Sequence, residues 1–281
     1  LPLLPHPSWA IRVRPFPTNL SEHAFIVASL YESPKLLGEY LLLHYGGAAE
    51  LRHEALPVDR TITETPFPVR CVRELLDTAL LSPGARDVSA FEAGCSVGAS
   101  AFELARTCDR VEASDYSDSF ITAANKLKET GSHSGERLLE GSITASFKAI
   151  VPPEIDRSRV SFSVQDATSL PEGMGSYDVV LAANLICRLP NPEAFLARLG
   201  SLVKPGGQLL LTTPFTWLEE YTPRDRWIGG IDPDRRSEEE LTKRLSGEFK
   251  LHRRVDLPFL IREHERKYQL GIALGTSWVR L

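Results

Sequence analysis

The chain has 281 residues, 42% of them hydrophobic and 25% charged, which supplies a sizeable core and excludes disorder of the whole chain. A formal net charge of -5 with no Lys/Arg run gives no general attraction to phosphate backbones, so a nucleic-acid partner is disfavoured. No apolar stretch is long enough to cross a bilayer, and the opening Leu1-Pro2-Leu3-Leu4-Pro5-His6-Pro7 lacks the layout of a secretion signal. A cytoplasmic location is the default. The only methionine is Met174, so the sequence does not open on an initiator. Cys71, Cys95, Cys108 and Cys187 have neither zinc-ligand nor redox-pair spacing; they are expected to be buried thiols, with no metal.

Residues 1–30 are Pro-rich and aperiodic, which predicts an extended arm. Ser33-Pro34 is an N-cap followed by Pro at the first helical position, and Leu36, Leu37, Tyr40, Leu41 and His44 form one face before Gly46-Gly47 ends the helix. A second helix is expected after Phe67-Pro68, carrying Val72, Leu75, Leu76, Ala79 and Leu80 and stopping at Pro83-Gly84. From Val88 onward short apolar strands alternate with helices, the strands being 88–92, 111–115, 160–165, 177–183 and 208–213. Such alternation predicts a doubly wound α/β (Rossmann-like) parallel sheet with right-handed crossovers. Asn191-Pro192 opens one crossover helix, Lys204-Pro205-Gly206-Gly207 leads into the next strand, and Ser237-x-x-Glu240 reads as a capping box. The stretch 131–159 is too long for a crossover and is expected to be an insertion with structure of its own. Strands over 250–257 and 267–279, joined through Pro258–Arg266, form a terminal antiparallel hairpin. Residues 1–66 thus read as an arm with a capping helix, and 67–281 as the core.

In a doubly wound sheet the ligand lies at the carboxyl ends of the strands, where the first strand turns into its helix. Phe91-Glu92-Ala93-Gly94-Cys95-Ser96-Val97-Gly98 occupies that turn, with Gly94, Ser96 and Gly98 letting the backbone approach a ligand. Glu92 is placed to accept from an amino group. Asp115, ending the second strand, is placed for two ribose hydroxyls, and Asp166, ending the third, for the exocyclic amine of adenine. Tyr116, Ala167 and Asn184, beside these strand ends, complete the expected cofactor wall. An amine, a ribose and an adenine without pyrophosphate describe S-adenosylmethionine. A nicotinamide dinucleotide is the rival, because Gly94-x-Ser96-x-x-Ala99 loosely mimics its fingerprint, but that reading gives Glu92 and Asp166 no role.

Several segments outside the cofactor run are more specific. Tyr31-Glu32-x-x-Lys35-Leu36-x-x-Glu39-Tyr40-Leu41, His44-Tyr45-Gly46, Phe67-Pro68-Val69-Arg70-Cys71, Leu181-Ala182-Ala183-Asn184-Leu185, Cys187-Arg188-Leu189, Thr216-Trp217-Leu218-Glu219-Glu220-Tyr221-Thr222-Pro223 and Asp256-Leu257-Pro258-Phe259-Leu260-Ile261-Arg262-Glu263-His264 resemble one family. It is the C-terminal methyltransferase domain of ovothiol synthase, and the resemblance runs from Tyr31 to the C-terminus. It implies methylation of 5-thiohistidine on the imidazole π nitrogen, giving ovothiol A. The family's iron-dependent sulfoxide synthase is absent from this chain, which would perform the last step alone, linked to or working with such a synthase.

Methyl transfer of this kind needs an acceptor pocket against the cofactor sulfur. Asn184, Arg188, Thr213, Phe215, Trp217 and Tyr221, from the mouths of the fourth and fifth strands, are candidates, with Tyr31 and Tyr45 as a lid. Arg70, Arg188 and Arg262 are the candidates for binding a carboxylate, with Arg70 assigned either to the substrate or to the cofactor. Glu263, His264 and Asn184 are the candidate catalytic groups, the first two as base or tautomer-setting acceptor. Another small histidine-like or thiol acceptor, or a non-catalytic module that binds S-adenosylmethionine, are the alternatives.

Overall fold

The structure is a computed structural model that describes residues 31–81 and 87–281; the expected arm over 1–30 and the Pro83-Gly84 stop lie outside the described residues. Ser33 caps α1 (Pro34–Tyr45), its hydroxyl accepting from the Leu36 N–H at 3.2 Å, and Gly46 closes it. Two short helices, α2 (Ala48–Leu51) and α3 (Arg60–Glu64), lead to α4 (Phe67–Leu75).

The parallel part of the sheet is built from β1 (Ser89–Ala93), β2 (Arg110–Asp115), β5 (Val160–Val164), β6 (Tyr177–Ala183) and β7 (Val203–Thr213). Helices α5 (Ala99–Leu104) and α6 (Asp118–Thr130) follow β1 and β2; α7 (Pro192–Leu196) and α8 (Leu199–Leu202) connect β6 to β7. After α9 (Ser237–Leu245) come β8 (Phe249–His264) and β9 (Lys267–Arg280), giving a seven-stranded sheet in the order β5-β2-β1-β6-β7-β9-β8. Neighbouring residues of a strand serve opposite faces. Ala90, Val179, Leu181 and Leu210 join a core with α4, α5 and α6, while Phe91, Val180, Leu209 and Leu211 join a second core with α7, α8 and α9. The doubly wound expectation is met, and the terminal hairpin is present. All four cysteines are buried and free.

The insertion forms its own two-stranded sheet, β3 (Ser132–Glu140) and β4 (Ile143–Ile150), against which α1 packs.

Three local expectations need correction. The helix starting at Phe67 does not continue to Leu80: it ends at Leu75, with Leu76 as its extended C-cap, and Thr78–Leu80 is a separate single turn capped by Asp77. The break has a partner, because the Gln208 side chain accepts from the Asp77 N–H at 3.0 Å and donates to the Asp77 carbonyl at 2.9 Å. Ser237 is not a capping residue. It is the first residue of α9, its hydroxyl accepts from Trp217 Nε1 at 3.0 Å, and Glu240 is held by Arg235 and Arg244 instead. Finally, Pro258 does not begin a connection but sits inside β8, whose turn to β9 is only Glu265-Arg266.

The length of β8 matters for the site. Because β9 is antiparallel to both neighbours, β8 runs in the same direction as the parallel strands. Leu274 pairs with Thr213 at the end of β7 and with Asp256 in β8, so Leu257–His264 projects beyond the carboxyl edge of the sheet, paired only with β9. That overhang closes one side of the space above the edge.

Replacing buried Gln208 by Leu leaves the Asp77 N–H and carbonyl without partners, so Gln208→Leu should destabilise the fold by about 2 kcal/mol. The shift in the urea unfolding midpoint, at unchanged denaturant slope, measures it.

Candidate active site

The turn after β1 is pinned to the end of β2. The Ser114 carbonyl accepts from the Gly94 N–H at 2.8 Å and the Cys95 N–H at 2.9 Å, and Asp115 Oδ2 accepts from the Ser96 N–H at 2.8 Å. Gly94, Ser96 and Gly98 all have left-handed φ, at 72°, 49° and 85°. A Cβ on Gly94 would fall 2.8 Å from Leu185 Cδ1, and one on Gly98 2.5 Å from the Phe162 ring. Gly94 therefore keeps the backbone open to the space under Leu185. Gly98 serves the packing of Phe162 beneath the turn.

Glu92 lies one residue before the end of β1, level with Ala113 and Leu181 in the adjoining strands. It is 1% exposed, receives the Ser100 hydroxyl on Oε1 and leaves Oε2 buried without a partner. Burial pushes its carboxyl up to about 8, against the Ser100 hydrogen bond, and the nearby Asp115 adds to the rise. Asp115 Oδ1 also accepts from the Ser117 N–H at 3.0 Å, and burial raises its carboxyl too. Asp166 uses Oδ1 for the Thr168 N–H and hydroxyl, both at 2.8 Å, capping the turn Ala167–Ser169. Oδ2 has no hydrogen bond among the described residues.

These groups share one cavity of about 1350 Å³, counting its open mouth. Glu92 lines it from β1 and Gly94 and Ser96 from the turn after it; Asp115 and Tyr116 from the end of β2; Gln165, Asp166 and Ala167 from the segment just after β5. Asn184 lines it from β6, with Tyr31 and Tyr40 above and Arg188 beside them. Three lining or adjoining polar atoms are buried and unpartnered: Glu92 Oε2, Ser96 Oγ and Gln165 Oε1. A buried acceptor beside a tight turn, a carboxylate at the end of β2 and another after β5 fit an amine, a ribose and an adenine in that order.

Residues 91–211 match the family described as Methyltransferase domain (Methyltransf_11). No curated protein matches the chain significantly. Among solved structures, the chain is similar to magnesium protoporphyrin IX methyltransferase (ChlM) from Synechocystis PCC 6803 with bound SAM, at 16% identity and a TM-score of 0.54 over 92% of this chain and 97% of that one. The same protein with bound SAH gives 19% identity and 0.54, over 92% and 100%. The [4+2]-cyclase SpnF gives 16% identity and 0.55, over 90% and 95%. At such identities the likeness concerns the fold, and the cyclase shows that this fold carries more than one kind of chemistry. The antiparallel β9 wedged between β7 and β8 also departs from the dinucleotide-binding order, in which the corresponding strands are all parallel.

The fold brings most of the residues expected for the cofactor to one cavity, but it distributes the others differently. Arg70 does not line the cavity: its guanidinium donates to the carbonyls of Thr65, at 3.2 Å, and Pro258, at 2.5 Å, and so ties α4 to the β8 overhang. Tyr45 is a clamp and not a lid, its hydroxyl donating to the Val97 carbonyl at 2.7 Å. Thr213 is buried and accepts from the Phe215 N–H, and Phe215 has a left-handed φ of 51° that turns the chain away after β7. Trp217 is a core residue, stacked on Trp227. Tyr221 stands at the margin, its ring under the Arg188 guanidinium at 4.7 Å and 6.2 Å from the Tyr31 ring.

Arg262, Glu263 and His264 lie on the overhang beyond the cavity, where the Glu265 N–H already bonds the Leu139 carbonyl of the insertion. Arg262 is buried and donates to the Glu50 carbonyl; Glu263 pairs with Lys267 at 2.6 Å and accepts from Gln269. His264 Nδ1 accepts from the Arg266 N–H in the turn. The residues of β8 that do reach the cavity are Phe259 and Ile261. Tyr40, His44, Phe120 and Gln165 are lining residues that the sequence reading did not single out for the site. Helix periodicity put Tyr40 and His44 on the buried face of α1, but nothing local says what that face covers. Among the described residues no His/Cys/Asp/Glu cluster could hold a metal ion, and no helix is long and apolar enough to cross a membrane.

Glu92 should make the binding of S-adenosylhomocysteine pH-dependent. The free protein holds a proton on Glu92 below about pH 8, whereas an ammonium group on the ligand favours the carboxylate. Binding therefore releases a proton, and affinity for S-adenosylhomocysteine should rise by up to about tenfold per pH unit toward pH 8. Calorimetry between pH 6 and 8 in buffers of different ionisation enthalpy checks this; Glu92→Gln should remove the slope.

Proposed function

We propose that this chain transfers the methyl group of S-adenosylmethionine to the imidazole π nitrogen of 5-thiohistidine. The observation that carries the proposal is a convergence. Of the segments that resemble the ovothiol synthase methyltransferase domain, those around Tyr31 and Tyr40, His44, Phe67-Pro68, Asn184-Leu185, Arg188 and Phe259–Ile261 each supply lining to the cavity that contains Glu92 and Asp115. The segment Thr216–Pro223 backs that lining, because Arg188 donates to the Thr216 carbonyl at 2.8 Å and rests on Tyr221.

Arg188 is the only Lys or Arg among the described lining residues, which favours it over Arg70 and Arg262 as the carboxylate partner of an amino-acid acceptor. Its stem and head are fixed by Thr216, Tyr221 and the Cys187 carbonyl, so little side-chain freedom remains to be lost on binding. Tyr31, Tyr40 and Phe120 form an aromatic wall with centroid separations of 4.9 to 6.0 Å, suited to a flat ring. Burial pushes the Tyr40 phenol up to about 12 and the Tyr31 phenol well above its ordinary value, so both stay protonated donors.

Asn184 is held in a left-handed conformation by Thr212, which accepts the Asn184 N–H on Oγ1 and donates its own hydroxyl to Asn184 Oδ1 at 2.9 Å. The amide NH₂ is thereby left as the free end, a donor pair for an anionic group such as a thiolate or carboxylate.

When bound, S-adenosylmethionine supplies a methyl group activated by its sulfonium. The task of the protein is alignment, with Arg188, Asn184 and the aromatic wall fixing the acceptor ring. The ring nitrogen's lone pair forms the new N–C bond, the electron pair of the old S–C bond stays on sulfur, and the ring's thiolate balances the charge gained. Glu263 and His264, beyond the cavity on the overhang, supply no base in this reading.

Labelled S-adenosylmethionine offered with 5-thiohistidine, histidine and simple thiols tests the reading: label should pass to 5-thiohistidine, and its passage only to another acceptor, or to none, would overturn it. Arg188→Ala should raise KM for the acceptor by about 10- to 100-fold, the loss of one charged hydrogen-bonding partner, with S-adenosylhomocysteine affinity little changed. Arg188→Lys should recover part of that loss.

A further inference from the structure

The amino-acid end of the cofactor has two charges, and the site described so far answers only one. Glu92 Oε2 is the acceptor for an ammonium. A carboxylate bound a few ångströms away needs donors, and the cation assigned to that task from sequence, Arg70, is engaged with the Thr65 and Pro258 carbonyls outside the cavity. Arg188 is engaged by the Thr216 carbonyl and the Tyr221 ring.

The end of α1 straddles the turn after β1. Tyr45 bonds the Val97 carbonyl, and one residue earlier His44 Nδ1 accepts from the Ala99 N–H at 3.3 Å. That bond sets the tautomer: Nδ1 is the acceptor, so in the neutral ring Nε2 carries the proton. The ring is 6% exposed, and burial holds it down to about 3, so it stays neutral across the physiological range. Nε2 has no hydrogen bond among the described residues, yet His44 lines the same cavity as Glu92, Ser96 and Ser100. Ser96 Oγ, on the turn itself, is also buried and unpartnered.

We propose that His44 Nε2–H, together with the Ser96 hydroxyl, receives the α-carboxylate of the cofactor's methionine portion while Glu92 takes its ammonium. His44 is then a positioning residue for the cofactor, and the same α1 that carries Tyr31 and Tyr40 toward the acceptor also registers the cofactor. The inference rests on the cavity being the S-adenosylmethionine site.

The test compares two ligands by calorimetry: S-adenosylhomocysteine and its decarboxylated analogue, which keeps the adenine, ribose, thioether and amine. The wild type should prefer S-adenosylhomocysteine by about 10- to 100-fold, the range for hydrogen bonds to a charged group. His44→Asn keeps an acceptor for the Ala99 N–H but cannot reach the cavity; it should weaken S-adenosylhomocysteine alone and bring the preference within about threefold. His44→Gln, which keeps a donor near the Nε2 position, should retain most of it, and Ser96→Ala, which leaves His44 in place, should lower it in part. Equal weakening of both ligands by His44→Asn, or an unchanged preference, would overturn the assignment. Failure of the wild type to bind either ligand would instead remove the cofactor reading on which it rests.

Discussion

The site depends on the coupling between the ends of β1 and β2. Asp115 and the Ser114 carbonyl together take the N–H groups of Gly94, Cys95 and Ser96, so the tight turn after β1 is held by the strand next to it. The same carboxylate accepts from Ser117, whose own hydroxyl caps α6 through the Phe120 N–H. One side chain thus shapes the turn, starts a helix and faces the cavity. Glu92 can be buried with an unpartnered oxygen because this scaffold holds it there, and the cost of burial appears as its raised proton affinity.

Around that fixed floor the walls come from distant parts of the chain. Helix α1 supplies the aromatic roof and, through His44 and Tyr45, sits directly on the turn. The β8 overhang supplies Phe259 and Ile261, and is braced by Arg70 from α4 and by the insertion at Leu139. The loop after β7 is tied to the one after β6 by the Thr222 hydroxyl on the Leu189 carbonyl and by Arg188 on Thr216. The walls of the cavity are therefore assembled from elements that the stretch matching the methyltransferase family, residues 91–211, only partly includes.

The floor of the cavity was legible in the sequence because each of its residues is defined by a local event, the last residues of a strand or a turn that needs glycine. Glu92, Asp115, Asp166 and Asn184 fall where the alternation of strands and helices puts them. The walls above it were less legible, since they depend on register and length. Only the pairing of Leu274 with both Thr213 and Asp256 shows that β8 outruns the sheet and carries Glu263 and His264 past the cavity. Ser237 looked like a cap because its spacing to Glu240 is right, but Trp217, distant in sequence, claims its hydroxyl. Arg70 and Tyr45 likewise carry ligand-like chemistry that long-range backbone carbonyls absorb.

The central claim is that the Glu92, Asp115 and Asp166 cavity recognises an amine, a ribose and an adenine without a pyrophosphate. Calorimetric titration with S-adenosylhomocysteine and, separately, with NAD, on the wild type and Asp115→Ala, tests it most directly. The account predicts that S-adenosylhomocysteine binds the wild type, that Asp115→Ala weakens it by at least about tenfold, as loss of a charged hydrogen-bond acceptor should, and that NAD gives no binding in the same range. Preferential binding of NAD, or S-adenosylhomocysteine binding indifferent to Asp115, would contradict it.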